Sequence, residues 1–106
     1  MNTRKFSSKQ EKYVAKKLGG KVQPNSGATP FRKGDITIGS DWLLECKTQM
    51  TDKKSMTIKK EWLDKLEEER FAMRKDNMAL VFNFGPGQEN YYVLTEKTFK
   101  QLKGEN

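Results

Sequence analysis

Hydrophobic and polar positions alternate most clearly in two short runs, Asp35-Ile36-Thr37-Ile38 and Trp42-Leu43-Leu44-Glu45-Cys46-Lys47, which flank Gly39-Ser40-Asp41. A period of two marks strands, and the glycine-led turn between them marks a hairpin. Upstream the period changes. Glu11, Val14, Ala15 and Leu18 fall at helical spacing, in a helix that Ser7 or Ser8 can cap and Gly19-Gly20 ends. Downstream, Ile58, Trp62, Leu66 and Met73 share a face of a second helix, from Ile58 to about Arg74, with Thr57 as its cap. Lys21 to Gln23, Met78 to Phe84 and Tyr91 to Leu94 read as further strands. Thr95 caps a short last helix. The order α-β-β-β-α-β-β-α predicts one α/β (α+β) domain, a mixed sheet flanked by helices, with the second helix as a right-handed crossover.

The register of the hairpin decides what its side chains can do. With the turn at residues 39 to 41, Ile38 faces Trp42, Ile36 faces Leu44 and Asp35 faces Glu45. One face is then Ile36, Ile38, Trp42, Leu44 and Cys46, a continuous apolar set. The other carries Asp35, Thr37, Leu43, Glu45 and Lys47. A slip of one residue would turn one strand over and break both sets. Two carboxylates therefore oppose each other across the strands. At a separation of about 5 Å and an effective dielectric near 20, they repel by roughly 3 kcal/mol. A shared proton, Lys47 or a hard divalent cation can offset that cost. Oxygen donors favour Mg²⁺, with Mn²⁺ a plausible substitute.

Composition narrows the chemistry. The 106 residues contain no histidine, which excludes histidine-based triads, histidine general bases and histidine-ligated metals. The single cysteine, Cys46, excludes an internal disulfide and fits a reducing compartment. Lys and Arg total 21 against 14 Asp and Glu, a net charge of +7 that favours a polyanionic partner. No apolar run is long enough to span a membrane, and the charged N-terminus lacks the apolar stretch of a signal peptide. The expected location is the cytoplasm, that of the host if the origin is viral.

Glu11, Asp35 and Glu45-Cys46-Lys47 on an apolar strand together resemble the PD-(D/E)XK nuclease superfamily. The loop Asn25-Ser26-Gly27 and the helix after the hairpin make the chain similar to the archaeal-type Holliday-junction resolvases, over a stretch from Glu11 to about Leu94. Gly34 stands where the pattern has proline. The resemblance implies a restriction-endonuclease-like fold and a homodimer acting on four-way DNA junctions. It implies that Asp35 and Glu45 hold Mg²⁺, helped by the Cys46 carbonyl and by Glu11, directly or through water. Lys47 would orient or deprotonate the attacking water, and Ser26 would lie near the scissile phosphate.

Each signal has a plainer reading beside it. Acid-x-lysine also occurs at Asp52-Lys53-Lys54, in a polar loop. Glu11 can close a capping box with Ser8, although a box between Ser7 and Gln10 would leave it free. Arg32, Lys33, Lys53 and Lys54 can contact DNA phosphates or form a solvated surface. Phe31 can wedge at a junction or anchor its loop, and Trp62 and Cys46 fit a core. Tyr91, Tyr92 and the strand from Met78 supply apolar surface for a dimer. Two rivals to the resolvase stand: a nicking, repair or restriction-type endonuclease using the same residues, and a non-catalytic basic nucleic-acid-binding module.

Overall fold

A computed structural model describes residues 3–23 and 36–104, with side chains described from Lys9 onward. The elements are α1 (Thr3–Leu18), β1 (Lys21–Val22), β2 (Ile36–Ile38), β3 (Trp42–Lys47), α2 (Lys60–Ala72), β4 (Asn77–Phe82), β5 (Tyr91–Val93) and α3 (Glu96–Leu102). The strands form one mixed sheet in the order β1-β2-β3-β4-β5. β3 and β4 run parallel, joined through α2, and every other neighbouring pair is antiparallel. This is the flanked mixed sheet that the element order predicts.

The hairpin takes the expected register, with Ile38 opposite Trp42, Thr37 opposite Leu43 and Ile36 opposite Leu44. Its turn uses Gly39 at φ 57, a left-handed conformation that glycine adopts without steric cost. Alternation along β3 then separates two cores. Leu44 and Cys46 join Ile36, Ala79 and Val81 beneath Val14 and Ala15 of α1. Leu43, on the opposite side, packs with Met78 beneath Leu66 of α2 and with Met73. The face bearing Glu45 and Lys47 is thus roofed by a helix.

Helix ends depart from the sequence reading in instructive ways. α1 starts at Thr3, so Ser7 and Ser8 lie within the helix and not at its start. At its other end Gly19 takes φ 70 and the Gly20 amide donates to the Ala15 carbonyl at 2.8 Å, a Schellman closure. α2 starts at Lys60, not Ile58. Lys59 is the extended N-cap and Thr57 takes no part, because the β-branched pair Thr57-Ile58 stays outside the helix. The helix stops at Ala72 because Arg74 adopts φ 57, with the Lys75 amide donating to the Arg70 carbonyl at 3.0 Å. Thr95 does cap α3, its hydroxyl accepting from the Thr98 amide at 3.2 Å.

β4 ends at Phe82, two residues before the expected boundary. Asn83 is buried but spends its Oδ1 on the Gly85 amide, starting a turn in place of another sheet pair. Among the described residues no helix is long and apolar enough to cross a membrane.

Candidate functional site

β3 brings Glu45 and Lys47 to the same face, two residues apart, at its C-terminal end. Between them and α2 lies a cleft of about 470 Å³ that also takes in Glu61, Trp62, Lys65 and Glu69. The Lys47 Nζ sits 4.3 Å from the centre of the Trp62 ring, and the Lys59 Nζ 5.9 Å from it. Those distances allow cation–π attraction, which holds the Lys47 ammonium beside the carboxylates of the cleft. Trp62 is therefore half-buried at the site. The core beneath α2 is built from Leu66 and Met73.

Glu61, Lys65 and Glu69 went unremarked in the sequence. They recur every four residues, one step from the apolar face of α2, and such a stripe ordinarily reads as a solvated flank. The sheet underneath turns it into a wall, and Glu69 is buried. Cys46 points the other way, into the core with Val14 and Ala15, as a small apolar residue.

Glu11 lies on α1, the helix that covers the Cys46 face, and is half-buried. Its neighbours Val14 and Ala15 are buried as the spacing predicts. Leu18, the last residue of α1, is 42% exposed. Gln10, at 8% exposure, completes the inward face instead. Asp35, Ser26, Arg32, Lys33 and Phe31 lie outside the described residues. Lys53 and Lys54 are exposed on the loop after β3. That loop is tied to the β4–β5 turn by the Lys53 amide on the Phe84 carbonyl (2.7 Å) and Gln88 on Asp52 (2.8 Å).

A second cleft, of about 510 Å³, opens on the α1 side of the same strand end. Its floor is a chain of amides and a hydroxyl. Thr48 donates to the Gln10 Oε1 at 2.6 Å, and the Gln10 Nε2 is 3.4 Å from the Lys47 carbonyl and 3.5 Å from the Asn90 Oδ1. Asn83 donates to the same Asn90 oxygen at 3.2 Å. Tyr92 lines this cleft, and its partial burial pushes its hydroxyl above the ordinary value of 10.0, with Cys46 and Tyr13 adding to the rise.

Among the described residues no group of three acidic or cysteine side chains is arranged to hold a metal ion. The carboxylates of the first cleft, Glu45, Glu61 and Glu69, are oxygen donors of the kind a hard divalent cation takes, while Lys47 and Lys65 offer positive charge to a phosphate. Mg²⁺ in particular needs only one or two carboxylates when a substrate phosphate completes its shell. Compared with known proteins, the chain matches no family model, no curated protein and no solved structure.

Proposed function

We propose that this chain is a Mg²⁺-dependent, structure-selective DNA endonuclease of the Holliday-junction-resolving kind, working in the cytoplasm as a homodimer. The observation that carries the reading is the pairing of Glu45 with Lys47 on one strand face, inside a cleft at the C-terminal end of the parallel pair. In sheets with parallel strands, ligands favour the crevice at that end. The hairpin register, with Ile36 opposite Leu44, is the one the alternation of the sequence predicts.

In this reading Glu45, with Asp35 and the Cys46 carbonyl, would hold Mg²⁺, or Mn²⁺ in its place, while Glu11, expected from the sequence to join them, lies on the helix over the opposite face of the sheet and is left out of the set. When bound, the ion would supply charge neutralisation at the phosphate and an acidified water. Lys47 would orient the attacking water and offset negative charge building on the phosphodiester oxygens, while Trp62 keeps its ammonium aimed across the cleft. Ser26, by the resemblance, would lie near the phosphate. Arg32, Lys33, Lys53 and Lys54 contribute sequence-independent phosphate contacts, supported by the overall charge of +7.

A synthetic four-way junction incubated with the protein and Mg²⁺ tests this. Paired nicks that disappear with Glu45→Gln and Lys47→Ala are the expected result. Cutting confined to flaps, mismatches or linear duplex moves the same site to a repair or restriction-type substrate. Metal-indifferent binding without any cleavage leaves a basic nucleic-acid-binding module.

A further inference from the structure

The cleft on the α1 side of β3 has no part in the chemistry proposed above, yet it is the larger of the two. Asn90 is fixed within it. Its Oδ1 accepts from both Gln10 and Asn83, two side chains that are each more than nine-tenths buried. That dual acceptance sets the amide orientation and leaves the Asn90 NH₂ as a donor for the cleft. Two aromatic side chains border the same space, Tyr13 at 55% and Tyr92 at 41% exposure. Lys9 and Lys17 line its α1 side, and the Lys17 Nζ lies 5.6 Å from the centre of the Tyr13 ring.

Exposed rings, an oriented amide donor and flexible cations answer three chemical features that occur together in a nucleotide. The base offers a π-face to stack on and acceptors on its edge, and the phosphate offers charge. About 510 Å³ is within the range of small-ligand sites. In a duplex the π-faces are covered and the pairing edges occupied, so the matching form is an unpaired nucleotide. We propose that this cleft binds an unpaired nucleotide of the nucleic acid, its base against Tyr13 or Tyr92, its edge accepting from Asn90 and its phosphate met by Lys9 and Lys17. The inference deepens the nuclease reading and rests on it for the nucleic-acid partner.

The test is binding without turnover. Full-length protein, with EDTA present, is titrated into a single-stranded oligonucleotide carrying 2-aminopurine, into its perfect duplex and into dAMP. Preference for the single strand is expected, with the 2-aminopurine emission changing on binding. Tyr13→Ala and Tyr92→Ala, both at exposed positions and checked by circular dichroism, should each weaken single-strand binding about 5- to 100-fold. Equal affinity for single strand and duplex, or unchanged binding by both tyrosine variants, overturns the proposal. So does dAMP binding as tightly as the oligonucleotide, which would make this a free-nucleotide site. Because cleavage is not read, a chain that cuts no junction can still pass, and a chain that cuts can still fail.

Discussion

Lys47 is held from both sides of the sheet: Gln10 of α1 reaches its carbonyl, with Nε2 and O 3.4 Å apart, while its ammonium rests over Trp62 of α2. The end of β3 is thereby fixed to both helices, and the two clefts share one strand terminus.

Gln10→Glu tests that fixation. The substitution keeps shape but sets acceptor oxygens against the Lys47 carbonyl and the Asn90 Oδ1. Uncompensated buried polar groups cost about 1–3 kcal/mol, so urea unfolding should shift by that order at neutral pH. Burial raises the new carboxyl's pKa, and its protonated form can donate. The deficit relative to wild type should therefore be smaller at pH 4 than at pH 8, growing as pH rises through the folded-state value.

Arg74 occupies the left-handed position that closes α2. A side chain there costs about 1–2 kcal/mol, part of which glycine returns as unfolded-chain entropy. Arg74→Gly is expected to raise stability by about 0.5–1 kcal/mol with no change in helix content. A lower denaturation midpoint would contradict this.

Gly85 lies against Asp52. A Cβ there would collide with the Asp52 carboxylate and come within 3.0 Å of its Cα. Gly85→Ala must separate the β4–β5 turn from the loop after β3, at a cost of about 1–3 kcal/mol. Faster amide exchange at Lys53, whose N–H bonds the Phe84 carbonyl, would report the separation.

Glu67 and Arg70 pair on the flank of α2, and Arg70 also donates to the Lys75 carbonyl at 2.6 Å. The hydrogen bond from Arg70 and its charge hold the Glu67 carboxyl below its ordinary 4.5. A lowered folded-state value adds stability that is present above the unfolded pKa and lost as pH falls through the folded one. The pair is half-exposed, so its contribution is under about 1 kcal/mol. Glu67→Gln should show that deficit at pH 7 and lose it under strongly acidic conditions.

The hairpin was legible because alternation, turn and apolar count all agreed on one register, and Ile36, Leu44 and Cys46 share a core as that register requires. The termini of α1 and α2 were not. Many residues can cap, so Ser7, Ser8 and Thr57 looked like boundaries, yet the helix extended past two and began after the third. The walls of the clefts were equally hidden. Glu61 and Glu69 become part of a site only once Leu66 docks on Leu43, and Gln10 reads as an ordinary surface amide until it meets Thr48 and Asn90, far along the chain. Pairings so distant in sequence leave no local pattern.

The parallel arrangement of β3 and β4 also bears on how quickly the chain reaches its native state. Their contacts, such as Leu44 with Ala79, join segments that flank the whole of α2, whereas β2 meets β3 across a three-residue turn. The entropy of closing that long loop is lost before its contacts form, so the ribbon can zip early while the strand pair waits. Truncating Leu43 or Val81 should slow refolding most, and truncating Val14 should chiefly speed unfolding.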